Sequence, residues 1–207
     1  MKNEYRTVKN EASDEFVEKK SKFIGYIKPV RKQEEAIEFI EKIRKKHWDA
    51  THNVYAYILR ENSVERFSDD GEPQGTAGIP VIDVLKKENL TDCVVVVTRY
   101  FGGTMLGAGG LVRAYSRSAK IAVDAGVPII VSLCATAEVS CDYSFYGKLS
   151  SLIPDNNAVI LDTEFADDVK VSFIVKNDDY EKIRNLIIDS SNGRFDCEKT
   201  GEKYFVL

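Results

Sequence analysis

Cys93-Val94-Val95-Val96-Val97-Thr98-Arg99-Tyr100-Phe101-Gly102-Gly103-Thr104-Met105-Leu106-Gly107-Ala108-Gly109-Gly110-Leu111-Val112-Arg113 passes from one kind of structure to another twice. Residues 93–98 are mostly β-branched with no polar alternation, which predicts a strand buried on both faces. Glycines crowd the next stretch, and a helix is predicted over 109–125 with Gly126 as its C-cap. Upstream, 22–30 and 52–59 alternate as strands, and 64–68 can pair with the latter through the 60–63 turn. An amphipathic helix over 34–47 places Ala36, Ile37, Ile40, Ile43 and His47 on one face. A further helix over 76–88 tolerates Pro80 in its first turn. Strands with interleaved helices indicate an α+β domain.

Downstream the predicted order is strand 135–141, helix 145–153, strands 158–165 and 169–175, helix 178–190 and strand 195–206. Phe145, Leu149 and Leu152 face inward, an Asp178-x-x-Glu181 capping box opens the second helix, and Asn192-Gly193 closes it. The pattern β-α-β-β-α-β is ferredoxin-like. Two domains are expected, 1–126 and 127–207, and charge supports the division. The first carries 21 basic and 19 acidic residues, the second 8 and 14. No apolar run approaches the roughly 20 residues needed to span a bilayer. No apolar signal segment follows Met1, so a cytoplasmic location and no membrane partner are expected. Cys93, Cys134, Cys141 and Cys197 form no Cys-x-x-Cys pair, so reduced thiols and no structural metal are expected.

Eight of the 13 glycines fall between residues 71 and 110. Gly102, Gly103 and Gly107 precede, and Gly109 and Gly110 open, a helix whose free N–H groups would favour an anion, and Arg99 and Arg113 flank the loop. Such a loop can also exist only to pack a helix on a sheet, but the flanking arginines favour the anion reading. Arg113, Arg117 and Lys120 share one helix face, and Tyr100 and Phe101 are placed to stack on bases. Such stripes are often only solvated surface. In Asp69-Asp70-Gly71-Glu72-Pro73 the three carboxylates suit either a capped turn or acid/base and Mg²⁺ chemistry. His52 would be a general base only with a partner such as Asp69 or Asp70, and is otherwise structural.

Lys22-Phe23-Ile24-Gly25, Thr51-His52-Asn53-Val54-Tyr55-Ala56-Tyr57, Arg66-Phe67-Ser68-Asp69-Asp70-Gly71-Glu72-Pro73, Gly75-Thr76-Ala77-Gly78, and Val97 to Gly103 with Leu106 to Tyr115 together resemble the IMPACT/YigZ family. The resemblance implies a first domain folded like domain 2 of ribosomal protein S5. It also implies a small second domain similar to the ferredoxin-like domains of elongation factor G. The resemblance implies eukaryotic relatives that regulate translation with the help of a partner-binding amino-terminal domain; no counterpart of that domain is expected here, so their mechanism is not expected to carry over. The expectation is a translation-linked regulator that binds RNA or the translation machinery through Arg99, Tyr100, Arg113, Arg117, Lys120 and the glycine loop, with no cofactor. The alternative is an enzyme acting on a phosphorylated small molecule, a phosphate-bearing ligand resting at Gly107 to Gly110 with His52, Asp69, Asp70 or Glu72 as partner. That alternative draws on an analogy with small-molecule kinases of the same superfold.

Overall fold

The computed structural model describes residues 3–207. They form two compact units, 6–129 and 130–207, the latter joined by residues 3–5. The strand β1 (Glu4–Val8) starts in one unit and ends in the other, so no single cut in the sequence separates them. The expected first domain also includes residues 1 and 2, which lie outside the described residues.

The larger unit is an antiparallel sheet in the order β2 (Ala12–Glu18), β3 (Ser21–Pro29), β6 (Cys93–Tyr100), β4 (His52–Leu59), β5 (Val64–Ser68). The central β6 is buried along nearly its whole length, as its β-branched run requires. Helix α1 (Gln33–Lys46) covers one face, with Ala36, Phe39, Ile40 and Ile43 buried; Ile37, expected on that face, is exposed instead. Helices α2 (Gly78–Lys87) and α3 (Ala108–Gly126) cover the other, against Phe23, Ile27, Val54, Val95 and Val97. Two strands precede the first one read from sequence. β2 escapes a pattern reading because it is an edge strand, and Ala-Ser-Asp-Glu-Phe-Val-Glu has no buried position.

Two glycines carry the packing of α3. A Cβ on Gly25 would stand 2.3 Å from the Ser118 carbonyl oxygen, so β3 and α3 approach backbone to backbone. Gly126 is helical and close to Val8 and Ile27, while the left-handed residue after it is Val127, at φ 58°. Gly126 therefore serves close packing rather than the positive φ expected of a C-cap.

The smaller unit has strands in the order β10 (Cys197–Phe205), β7 (Pro128–Cys141), β9 (Val169–Lys176), β8 (Val159–Phe165), with β1 also pairing β7. Helices α4 (Tyr143–Asp155) and α5 (Tyr180–Ser190) complete the β-α-β-β-α-β order. Phe145, Leu149 and Ile153 of α4 and Ile183 and Ile187 of α5 cover one sheet face; Leu152 is only half-buried. The Asp178–Glu181 capping box does not form. A 3-10 turn spans Asn177–Asp179, and the Asp178 carboxylate accepts from the Asn3 amide at 2.9 Å. Asn192 and Gly193 both have positive φ and close α5, with Gly193 N–H donating to the Ile188 carbonyl. The chain as a whole is α+β.

All four cysteines are free and buried. Burial pushes the Cys93 thiol up to about 12 and raises the other three. Among the described residues no helix is long and apolar enough to cross a membrane.

Candidate functional site

The carboxylates of the 69–72 turn do not converge. Asp69 accepts from the N–H groups of Gly75, Ala77 and Gly78 at 2.8–3.1 Å, capping the start of α2, where a negative charge is favoured. Asp70, at φ 45°, accepts from Asn53 N–H at 2.6 Å and meets Arg44 at 3.0 Å. Glu72 is buried and accepts from Arg99 and, at 2.7 Å, from the Tyr115 hydroxyl. Among the described residues no His, Cys, Asp and Glu grouping suits a metal ion. His52 donates from Nδ1 to the Asp70 carbonyl at 2.8 Å, since a carbonyl can only accept, and its Nε2 stands 3.8 Å from Glu72. Its near neighbour is therefore Glu72, not the side chain of Asp69 or Asp70.

Arg99 is 5% exposed. Its guanidinium pairs with Glu72 and lies 5.5 Å from the rings of both Phe23 and Phe101. Burial, and then the Glu72 charge, holds the Tyr115 phenol far above its ordinary range, so it is a fixed donor. Arg99 thus neutralises a buried carboxylate and does not reach solvent as an anion contact.

Tyr100 is the next residue along β6, and strand alternation sends it to the α1 face, away from α3. There it ends a directed chain. Tyr100 O–H donates to Asp49, so its oxygen accepts from His47 Nδ1–H at 2.8 Å. His47 Nε2 then accepts from Tyr26 O–H at 2.6 Å, and Lys46 donates to the Tyr26 oxygen. The chain requires a neutral imidazole, because His47⁺ has no lone pair for Tyr26. Burial, and then Lys46 and Lys22, lower the His47 pKa below its ordinary 6.5, against the opposing pull of Asp49. The unfolded chain therefore takes up this proton first on acidification. The stabilisation is complete above about pH 6.5 and is lost as pH falls through the depressed folded value. Urea midpoints at pH 7.5 and 5 should fall less in His47→Gln than in the wild type; equal slopes would show that His47 does not carry the effect.

The α3 amino terminus is different. Gly107 (φ 72°) precedes it, no side chain caps it, and Gly107, Ala108 and Gly109 are exposed. One and two turns on, Arg113 and Arg117 line a cleft of about 250 Å³ together with Phe16, Glu18, Lys19, Leu106 and Gly110. Arg117 lies 4.2 Å over the Phe16 ring, which stacks on Phe23. Lys120 is paired with Glu88 and Asp124, whereas among the described residues neither Arg113 nor Arg117 has an ion-pair partner. The stripe of three cations is therefore two open arginines and one compensated lysine.

The glycines divide by cause. At Gly102 a Cβ would stand 2.0 Å from the Lys20 carbonyl carbon, so this residue admits the β2–β3 turn. Gly103 and Gly107 have φ above 70°, and at Gly110 a Cβ would meet Leu106 at 3.0 Å. Gly109 has no such constraint: its nearest neighbour is the Arg113 guanidinium at 3.8 Å. The sequence reading missed Lys19 and Lys20. They form a two-residue hairpin turn with both φ positive, which Asn-Gly would have signalled and Lys-Lys does not.

These features define an α+β two-unit protein with an open cationic helix start. Residues 19–123 match the Impact N-terminal domain, and residues 139–194 match a domain of unknown function (DUF1949). The chain belongs to the IMPACT family. It is 38% identical to the IMPACT family member YvyE of Bacillus subtilis, over 98% of this chain and 93% of that one. It is 31% identical to the IMPACT family member YigZ of Escherichia coli, over 71% and 74%. Protein IMPACT of Oryctolagus cuniculus shares 32% identity over 44% of this chain and 30% of its own length. A crystal structure titled as that of a hypothetical protein aligns over 98% of this chain and 100% of its own, at TM-score 0.61 and 25% identity.

Proposed function

We propose that the protein is a regulator that binds RNA or an RNA-containing part of the translation machinery through the start of α3. The observation that supports this reading is the pair Arg113 and Arg117, which among the described residues have no carboxylate partner, beside an uncapped helix start with open backbone at Ala108 and Gly109. Lys19 extends the same cationic surface, and the exposed Phe101 and Met105 offer apolar faces nearby. Arg99, Tyr100 and Lys120 have other work and leave the contact set.

Anisotropy of a labelled single-stranded RNA across a salt series tests the reading. Each lost phosphate contact lowers the log–log salt slope by about 0.7, so Arg113→Ala/Arg117→Ala should reduce it by about 1.4 and weaken binding uniformly across sequences. Gly109→Ala should keep the fold, since a Cβ there meets nothing closer than 3.8 Å, and yet weaken binding if phosphate rests on that backbone. An unchanged slope in the double variant would reject the site.

A second reading, an enzyme acting on a phosphorylated small molecule, rests on His52 Nε2 facing the buried Glu72 at 3.8 Å. It requires a melting-temperature rise with nucleotide or sugar phosphates that is reduced in Arg113→Ala. No rise across such a panel would remove it.

A further inference from the structure

In the smaller unit β8 pairs with β9 on one side only and is the outer strand of the sheet. An outer strand presents a row of backbone donors and acceptors, and such edges are commonly blunted by charge or by a bulge. β8 has a register shift between Ile160 and Asp162, and it carries charge of one sign only. Pairing with β9 fixes how its side chains divide. Asp162 and Glu164 oppose Ser172 and Lys170 on the sheet face away from the helices, while Thr163 and Phe165 oppose the core residues Val171 and Val169 on the α4 side.

The two sides therefore have different chemistry. On the α4 side Phe165 is 58% exposed, and Tyr143, 56% exposed, lies 6.3 Å away in a stacked arrangement. Tyr146 meets the same ring edge-on at 5.3 Å, and the Tyr143 hydroxyl donates to the Ala166 carbonyl, which fixes the platform. On the opposite side Asp162 and Glu164 are exposed, and Asp167 and Asp168 follow in the turn. Lys170, opposite Glu164 on β9, is already bonded to Glu138 at 2.7 Å. A second copy of β8 laid antiparallel would bring these carboxylates together, so the edge repels its own kind.

We propose that β8 is a docking edge for an extended basic segment of another polypeptide, added as a further strand. Alternate residues of that segment are Lys or Arg facing Asp162 and Glu164, and those between are apolar and rest on Phe165 and Tyr143. Backbone hydrogen bonds supply affinity, and the alternating pattern supplies specificity. This reading is independent of the RNA face on α3.

The test uses the full chain and a labelled heptapeptide of alternating Lys and Val. Controls are a block peptide of the same composition and an alternating peptide N-methylated at every second amide along the edge that would pair. The expected results are saturable binding of the alternating peptide, at least tenfold weaker binding of both controls, and slowed hydrogen exchange confined to β8 amides. Asp162→Lys/Glu164→Lys should abolish binding, and Phe165→Ser should weaken it by about tenfold. Equal binding of the three peptides would overturn the proposal, because the surface would then be only a sink for positive charge. So would concentration-dependent self-association lost in Phe165→Ser, since the occupant would be a second copy. Absence of binding by the alternating peptide also overturns it, independently of how any variant folds.

Discussion

Replacing Glu72 by Leu is expected to cost about 3–5 kcal/mol, because it leaves the Arg99 guanidinium buried without a counter-charge. Arg99 is enclosed between Phe23 and Phe101, and among the described residues its Nε has no hydrogen-bond partner, so little remains to offset the loss. The Tyr115 hydroxyl loses its acceptor in the same step. Urea unfolding followed at the larger unit should show the midpoint fall with an unchanged slope. The double variant Glu72→Leu/Arg99→Leu should recover much of the loss, since a matched apolar pair replaces a matched ionic one. A double variant as unstable as the single one would mean that Arg99 is not the source of the penalty. The outcome also bears on the enzyme reading, in which Glu72 would need to be available to a ligand rather than shared between two buried donors.

The second large effect is expected at Gly102. An added methyl would stand 2.0–2.5 Å from the Lys20 carbonyl and the Ser21 nitrogen, both backbone, so no rotamer change relieves the clash. Overpacking of this kind costs about 1–3 kcal/mol and sometimes more. Gly102→Ala should therefore lower Tm and displace the Lys19–Lys20 turn that the glycine admits. The Gly102 N–H to Ser21 hydroxyl bond, 3.2 Å, would lengthen with it. RNA affinity should fall together with stability in Gly102→Ala, and affinity alone should fall in Gly109→Ala. If Gly102→Ala melts like the wild type, the close approach of turn and loop is wrong.

The architecture was legible where pattern and burial agree. The unbroken Val94–Val97 run could only be an inner strand, and the β-α-β-β-α-β rhythm of the smaller unit followed from the closely spaced strands 158–165 and 169–175 and the stop at Asn192-Gly193. β2 was not legible, since an outer strand that buries little need not alternate, and β1 is five residues long and buries only its adjacent end residues, Thr7 and Val8. The site was harder for a related reason. Spacing along the chain placed Arg113, Arg117 and Lys120 on one face and Asp124 four residues after Lys120, but only tertiary contact shows that Glu88 also claims Lys120 and that, among the described residues, no carboxylate pairs with the arginines. Arg99 and Tyr100 adjoin in sequence and point to opposite faces of the sheet, so the first meets α3 and the second meets His47. The Asp69-Asp70-Glu72 grouping admits a capped turn or one carboxylate centre in sequence, and folds as three separate anchors, with Asp69 capping α2.

The buried thiols have a practical consequence. Cys93 lies in the larger unit and Cys134, Cys141 and Cys197 in the smaller, each shielded from solvent and held in the unreactive protonated form. A thiol-reactive reagent can label them only when the surrounding structure opens. Quantifying which cysteine is modified, and how fast, makes the wild-type chain its own clock for the breathing of each unit, with no introduced probe.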